Sequence, residues 1–427
     1  MGIELLRKRL NQSSEAIPLA IFRIVFGGIM VISQVRFLSK GWIEDLFLYP
    51  SFHFSYTGFS WIQVLPEFWM YGLLILSLFS ALGIAFGLWY RLATISFFLS
   101  FTYLELIDKA WYLNHYYFVS LVAFLLIFVP ANRMWSLDSL RSREGWNPFV
   151  PFWTIAILRF QLCVVYFFAG IAKLKYDWLI LAEPMKTWLS ARTDFPILGE
   201  LFDEAWMAHA FSWGGAIYDV SIPIFLLWSK SRPYAYIAVI GFHLMTWLLF
   251  PIGMFPWIMI GGSLIFLEAQ DWRKLLHYVR LPLPARPRPM LPSNSIASWK
   301  LLLISCYVSI QLCLPLRHHL YPGDVLWNEK GLRFAWHVMV MEKNGMATYY
   351  LKDLESAKEW TIYPSEYLIP AQERQMSFQP DMIHQFADHL RQLWRADGYE
   401  HLEIRVENRV CINKQCKTLE WIEDGTP

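Results

Sequence analysis

Long apolar runs separated by short polar segments fill about three-quarters of the chain, and a helix needs about 20 apolar residues to cross a bilayer. About nine runs approach that length: 16–36, 67–89, 92–107, 112–130, 151–171, 211–228, 233–250, 254–268 and 298–316. The third and eighth runs are short enough to be re-entrant or buried. The pattern predicts an all-α polytopic membrane bundle of about nine transmembrane helices.

The pattern changes after residue 316, where shorter periodic segments replace the apolar runs. Segments 334–342 and 346–351 are typical of strands, and 401–407 with 409–421 of a hairpin around Asn413 and Lys414. Segment 380–396 has the spacing of an amphipathic helix, with one apolar face formed by Met382, Phe386, Leu390 and Leu393. These elements predict a small C-terminal α+β domain outside the membrane.

The proline-rich stretch 281–297 cannot form a helix or a central strand, so it predicts a linker. The expected organisation is then a transmembrane helical domain over 1–280, that linker, a last transmembrane helix over 298–316, and the outer domain over 317–427.

Basic residues in the short loops indicate how the bundle is oriented, because cytoplasmic loops are enriched in Lys and Arg. With the N-terminus inside, the inner loops hold Arg7, Lys8, Arg9, Arg91, Arg133, Arg141, Arg143, Lys230, Arg232, Arg273, Lys274, Arg280, Arg286 and Arg288. An odd number of crossings then places the C-terminal domain outside, whereas an even number would reverse it. We therefore expect an integral membrane protein with its active site and C-terminal domain on the outer side. The two cysteines of the predicted outer hairpin and the short chain suggest a bacterial inner membrane, in which this side is periplasmic.

Composition agrees with a membrane protein, since 56% of the residues are hydrophobic and 17% are charged. The net charge of +2 and the lack of a basic run give no indication of nucleic-acid binding. The five cysteines do not have the spacing of metal ligands, and no metal is expected. Cys411 and Cys416 flank the predicted hairpin turn. They would form a disulfide only if the tail is in an oxidising compartment, so their pairing stays open.

Three charged residues lie near the middle of apolar runs, namely Arg23, Arg159 and Asp219. Charges inside a membrane are costly and often functional. They are interpreted either as an interhelical polar cluster that holds the bundle together or as part of a substrate or proton pathway.

A second group of polar residues falls near the outer ends of the runs. Trp111, Asn114 and His115 are spaced to share one helical face at the start of the fourth run. Lys173 ends the fifth run and is either a lysine that reaches to the membrane surface or a desolvated lysine that acts as a base. His243 lies about two-thirds along the seventh run. In the expected orientation, His115, Lys173 and His243 all approach the outer leaflet.

Several segments in this order resemble the vitamin K-dependent gamma-glutamyl carboxylases, a family that shares the HTTM membrane domain. The likeness runs from about residue 19 to about residue 420. The matching segments include LAIFRIVFGGIMV at 19–31, GLWYRL at 87–92, DKAWYLNHYYFVSLVAFLLIF at 108–128, ANRMWSLDSL at 131–140, VVYFFAGIAKLKYDW at 164–178, FHLMTWLLFPIGMFPWIMI at 242–260 and DWRKLL at 271–276.

The resemblance implies an enzyme that oxidises a reduced naphthoquinone, vitamin K hydroquinone (phylloquinol or menaquinol), to its epoxide with O2. In this family the base made in that step removes a proton from the γ-carbon of a glutamate, which then captures CO2. No metal is needed. The family's base corresponds to Lys173 and its essential histidine to His115, with Asn114 just before it.

Two departures from the family pattern affect individual residues. Ala172 stands where the family often has a second lysine, and Trp111 lies one residue earlier than the family's tryptophan. Trp111 is therefore expected only as a quinone contact, alongside His243 and Met254 of the matching segment 242–260. Animal carboxylases also continue past the end of this sequence with a large lumenal region that captures protein substrates.

Three functions follow from this interpretation. The first is epoxidation coupled to carboxylation of a glutamate in a peptide or protein. The second is epoxidation without carboxylation, because the quinol half of the reaction needs only the membrane site. The third is a non-catalytic quinone-binding or transport protein, in which Arg23, Arg159 and Asp219 line a path.

Overall fold

The computed structural model describes residues 2–142, 147–278 and 296–423. The chain is mostly helical up to residue 328, and its α-helices are α1 Gly2–Leu10, α2 Ile17–Ser39, α3 Glu67–Phe86, α4 Tyr90–Ile107, α5 Asn114–Phe128, α6 Leu137–Arg141, α7 Phe152–Ala172, α8 Tyr176–Leu179, α9 Met185–Ser190, α10 Ala205–Leu227, α11 Arg232–Leu249, α12 Phe255–Ser263, α13 Ala269–Tyr278, α14 Ser298–Cys313, α15 Val325–Asn328, α16 Pro370–Met376 and α17 Pro380–Ala396. All but the last two residues of the predicted linker 281–297 lie outside the described residues.

Each of the nine apolar runs contains a helix, but fewer than nine helices meet the criteria for a membrane span. Within the described ranges, five are long and apolar enough to cross a bilayer: Ile17–Ser39, Glu67–Phe86, Phe152–Ala172, Ala205–Leu227 and Ser298–Leu320. Asn114–Phe128 and Phe255–Phe266 are apolar but shorter. The chain is thus a helical membrane protein, and the prediction of nine full crossings is not confirmed.

Two of the charged residues within the bundle hydrogen-bond to backbone carbonyls. The guanidinium of Arg23 donates to the carbonyls of Ala131, at 3.0 Å, and Ile84, at 2.7 Å. Arg159 donates to the carbonyl of Ile265 at 3.0 Å. Ile84 lies in the last turn of α3, Ile265 in a short 3-10 helix, and Ala131 in the loop after α5. Arg23 and Arg159 are therefore structural in this fold, and they do not form one cluster with Asp219, which pairs with a lysine.

The C-terminal domain consists of a four-stranded antiparallel sheet covered by α16 and α17. Two short strands elsewhere, β1 Ser13–Glu15 and β2 Phe149–Pro151, pair near the start of the bundle. The sheet has the order β4-β3-β5-β6, with β3 Lys343–Asp353, β4 Glu359–Ile362, β5 Leu402–Ile412 and β6 Gln415–Glu423. The apolar face of α17 packs on this sheet through Met382, Phe386 and Leu390, which are buried. Leu393, predicted on the same face, is 39% exposed at its edge.

Two segments of this domain differ from the sequence prediction. Segment 334–342 is not a strand but an irregular loop, in which Phe334, Trp336 and Met339 have positive φ. The predicted hairpin is present and the chain turns at Asn413 and Lys414, as expected. The first strand, β5, is longer than predicted, because it continues through residue 408, which separated the two predicted segments 401–407 and 409–421. Cys411 and Cys416 lie directly opposite each other across this turn and are joined by a disulfide.

The C-terminal domain is attached to one end of the bundle by polar contacts. The amide of Gln372 donates to Asp108 Oδ2 at 2.7 Å, and Lys109 Nζ lies 2.7 Å from Asp381 Oδ2. Asp108 and Lys109 lie between α4 and α5, so the domain covers the end of the bundle where α5 begins and α7 ends.

Candidate active site between the bundle and the C-terminal domain

A cavity of about 490 Å³ lies between α7, α10 and α11. Its volume is in the range of small-molecule sites. Most of its lining is apolar or aromatic, with a few polar side chains that include Lys173, Asp219, His243 and Thr246. Val338 and Met339 of the C-terminal domain also line it. The cavity is therefore completed by both parts of the chain.

Lys173 lies just after the last residue of α7 and points into the protein. Its side chain is only 6% exposed. The ammonium nitrogen lies 2.8 Å from Asp219 Oδ2 and donates to the carbonyl of Val338 at 3.1 Å. It also lies 5.4 Å from the ring centroid of Trp178. This geometry does not fit a lysine that extends along a helix to the membrane surface.

The close approach of α10 to α7 brings Asp219 to this lysine. A Cβ atom at Gly170 would lie 2.6 Å from Val220 Cγ2 and 2.8 Å from its backbone nitrogen, closer than real Cβ contacts. Glycine at position 170 therefore permits the two helices to touch one turn before Lys173. The buried carboxylate is one helical residue before Val220, so the same contact sets the distance between acid and amine.

His243 supplies a second polar group to the cavity from α11. Its Nε2 is 2.9 Å from the hydroxyl of Tyr166, and the imidazole is 1% exposed. Its other nitrogen, Nδ1, is buried without a hydrogen-bond partner among the described residues. A buried polar atom without a partner is costly, so Nδ1 is a natural contact for a polar group of a bound ligand.

Asn114 and His115 lie at the first turn of α5, beside the cavity rather than in its lining. The amide of Asn114 donates to the carbonyl of His337 at 3.2 Å, and its oxygen accepts from Tyr112. The His115 ring is 5.9 Å from Phe255, whose other neighbour is the ring of His243 at 5.6 Å. Phe255 lines the cavity and thus lies between the two histidines.

Loop 334–339 joins these residues to the C-terminal domain. Consecutive carbonyls of His337 and Val338 accept hydrogen bonds from Asn114 and Lys173. Trp336 is fully buried and stacks on Tyr117 of α5, with ring centroids 4.9 Å apart. Burial lowers the pKa of His337 to about 3, so its imidazole stays neutral beside the lysine at physiological pH.

The tip of the disulfide-linked hairpin contacts the segment that follows Lys173. The amide of Asn413 donates to Asp177 Oδ2 at 3.1 Å, and Lys414 Nζ lies 3.0 Å from Glu183 Oε1. Asp177 immediately precedes Trp178, which lines the cavity. The hairpin therefore supports the outer wall of the site.

The other two expected quinone contacts lie outside the cavity lining. Trp111 donates its indole N–H to the carbonyl of Leu46 at 3.2 Å and packs among the loops at the end of the bundle. Met254 is buried just before α12. Of the three residues expected as quinone contacts, His243 is the one that lines the cavity.

Several site residues were not singled out as such from the sequence. Asp219 was considered with Arg23 and Arg159, although buried charges in membranes usually pair with each other and Lys173 offered the opposite charge. Tyr166 and Trp178 resemble ordinary packing aromatics in the sequence. The carbonyls of loop 334–339 carry no sequence signal of their own. Within the described ranges, no group of three or more His, Cys, Asp or Glu residues is placed to hold a metal ion.

Comparison with known protein families agrees with this two-part architecture. The HTTM domain family matches residues 11–272, which is more than half of the chain. The lumenal domain of vitamin K-dependent gamma-carboxylase matches residues 296–423. No solved structure matches the chain significantly. With both domains matched in order, the chain belongs to the vitamin K-dependent gamma-carboxylase family.

Proposed function

We propose that this protein oxygenates a reduced naphthoquinone of the vitamin K type to its epoxide and couples that reaction to carboxylation of a glutamate by CO2. One observation carries the proposal: a buried lysine faces an apolar cavity, held by Asp219 and by a carbonyl of the C-terminal domain. Family membership supports a carboxylase-type reaction. The cavity supports the quinol half, because its lining is apolar and its volume suits a bicyclic ring.

Lys173 is proposed as the base that takes a proton from the quinol. Only the neutral amine can accept a proton, so Lys173 must first give up its own proton, and Asp219 lies within hydrogen-bond distance to receive it. The two groups therefore act as a pair. Proton transfer from Lys173 to Asp219 frees the amine without changing the net charge of the cavity, which a low-dielectric site favours.

The remaining polar groups of the site bind and orient. His243 Nδ1 is free to contact a quinol oxygen, while Tyr166 fixes the ring through Nε2. The quinol is oxidised by O2, of which one oxygen atom enters the epoxide and the other is released as water. The aromatic walls exclude water, which would otherwise quench a strong base. A peptide glutamate is proposed to approach through loop 334–339, where the C-terminal domain meets Lys173.

From the family correspondence, His115 is predicted, with Asn114, to stabilise negative charge on the oxygenated quinol as a hydrogen-bond donor, and this role requires the Phe255 ring, which lies between His115 and the cavity, to move aside. His115→Ala should reduce epoxide formation by roughly two or more orders of magnitude, since such donors in dry sites contribute several kcal/mol. His401→Ala, at an exposed position in the C-terminal domain, is the matched control. Initial rates of epoxide formation by chromatography test this. Near-normal turnover of His115→Ala would remove it from the mechanism, and lower thermal stability with normal specific activity would assign it a structural role.

The C-terminal domain and the cavity are predicted on the periplasmic side of a bacterial inner membrane. Alkaline phosphatase fused after residue 320 should be active, because this reporter folds only outside the cytoplasm and the basic loops favour an inner N-terminus. A fusion at the same point to a reporter that works only in the cytoplasm is the control. Activity of that second reporter alone would reverse the orientation.

The proposed reaction is tested with purified protein, chemically reduced vitamin K, O2, labelled bicarbonate and a glutamate-containing peptide. Formation of both epoxide and labelled peptide supports the coupled reaction. Formation of epoxide without labelled peptide would limit the protein to epoxidation. If the protein binds the quinol but forms neither product, it is a binding or transport protein.

A further inference from the structure

A second cavity, of about 600 Å³, lies between α5, α7 and α14. It is formed by the C-terminal end of α5 and the N-terminal ends of α7 and α14. Lys173 follows the opposite end of α7, and this helix of 21 residues is about 31 Å long at 1.5 Å per residue. The second cavity is therefore separate from the proposed active site and belongs to the other membrane face.

Two cations, Arg91 and Lys300, contribute to the lining of this cavity. Within the part of the chain that the structure describes, neither forms an ion pair with a carboxylate, and each lies near an aromatic ring, Tyr90 and Trp299 respectively. Phe128, Trp153, Trp299 and Tyr307 line the remainder, together with aliphatic side chains. An apolar cleft with a cationic and tryptophan-lined mouth is the arrangement that membrane proteins present at the lipid headgroup level.

The surroundings of the mouth carry further charge. The first N–H groups of α4 donate to the carboxylate of Asp138, and that of Phe152 in α7 donates to the carbonyl of Gln12. α14 begins without a side-chain N-cap, so its first backbone N–H groups add partial positive charge. α1, which carries Arg7, Lys8 and Arg9, is held nearby by a 3.1 Å hydrogen bond from Arg7 to Ser298. Leu5 and Leu6 on this helix are about half exposed, as in helices that lie in a membrane interface.

α14 also makes little contact with the rest of the protein. Only 11% of the most apolar stretch of Ser298–Leu320, which includes α14, is buried against other residues, whereas 67% of that of α7 is buried. Something apolar must therefore cover the cleft between α14 and its neighbours in a membrane.

We propose that this cavity binds one anionic phospholipid, with its phosphate between Arg91 and Lys300 and an acyl chain in the apolar cleft beside α14. The charge selects the headgroup, because a zwitterionic lipid or a neutral quinol gains less from two unpaired cations. The lipid fills the gap that α14 leaves and holds this helix against α5 and α7.

Native mass spectrometry of protein released from nanodiscs of mixed phosphatidylglycerol and phosphatidylcholine tests the proposal. The wild-type protein should retain one phosphatidylglycerol in preference to phosphatidylcholine. Arg91→Gln combined with Lys300→Gln should reduce this preference on the order of 30-fold, since each cation near a lipid surface contributes about 1 kcal/mol. Lys230→Gln, which removes an exposed charge from the same membrane face outside the cavity, should retain the wild-type preference.

Three outcomes would overturn the proposal. They are equal retention of the two lipids by the wild-type protein, unchanged preference in the double variant, and one-for-one displacement of phosphatidylglycerol by menaquinol. If the double variant does not fold, Lys300→Gln alone gives a smaller measurable loss, about fivefold for one cation. Epoxide formation is not the readout, so the result does not depend on the proposed reaction.

Discussion

Lys173→Arg should abolish epoxide formation, although it keeps the positive charge and nearly the same reach. Arginine stays protonated at all accessible pH values and cannot act as a base. General bases contribute about two to four orders of magnitude, so the residual rate should be at or below about one per cent of wild type. Initial epoxide rates in detergent, with quinol binding measured separately, provide the test.

Lys175→Arg is the matched control for this change. Lys175 lies two residues along the chain but pairs with Asp324 near the surface, at 3.3 Å. Its replacement should leave the rate within about twofold of wild type, as expected of an exposed ion pair. Small amines should also restore part of the activity of Lys173→Ala, more strongly at high pH, where the free amine predominates. A fully active Lys173→Arg protein would return this lysine to a structural role.

Asp219→Asn is expected to have the second largest effect, a loss of about two orders of magnitude in epoxide formation. Asparagine preserves the size of the side chain but cannot receive the lysine proton. Breaking a buried pair also leaves one charge uncompensated. Thermal unfolding measured alongside the rate separates a damaged fold from a slowed reaction, and Asp203→Asn, at an exposed position before α10, is the control.

The two variants together distinguish the two members of the pair. If Lys173 is the base, Lys173→Arg is inactive and Asp219→Asn retains a slow reaction. If Asp219 takes the quinol proton and the lysine supplies only charge, Lys173→Arg stays active and Asp219→Asn is inactive. Because Asp219 Oδ2 and Lys173 Nζ are 2.8 Å apart and both line the cavity, geometry alone permits either order of transfer.

The long apolar runs were sufficient to predict where the helices of the bundle lie but not how many of them cross a membrane. All nine apolar runs contain helices because each run is long enough to require internal backbone hydrogen bonds in lipid. Crossing depends on length and on surroundings as well, and α5 and α12 fall short of the length. The apolar face of α17 was predictable from a different signal, because Met382, Phe386 and Leu390 follow the helical repeat.

The loop over 334–342 shows where local pattern fails. Its alternating apolar residues resemble a strand, yet tertiary contacts decide its conformation. Trp336 is buried against Tyr117, and Phe334 donates its backbone N–H to Tyr112 at 2.8 Å. These contacts with α5 and with Tyr112 just before it hold three residues of the loop at positive φ, which a strand does not allow. A contact between residues more than two hundred positions apart leaves no periodic signal.

The candidate site was predictable residue by residue only in part. Lys173 and His243 line one cavity, as their positions near one membrane face suggested, whereas Trp111 and Met254 do not line it. The pairing of Lys173 with Asp219 depends on the close packing at Gly170, and a single sequence does not reveal which helices touch. The carbonyl of Val338 acts through backbone geometry alone, so its side chain gave no indication.

The most direct test of the central claim is one time course of two products, made with the wild-type protein and with Lys173→Ala. Reduced vitamin K, O2, a glutamate-containing peptide and labelled bicarbonate are supplied together, and epoxide and peptide-bound label are measured in the same samples. Wild type should form both products in parallel, and Lys173→Ala should form neither. A wild-type protein that binds the quinol yet forms no epoxide, or a Lys173→Ala protein that forms both products at the wild-type rate, would contradict the account.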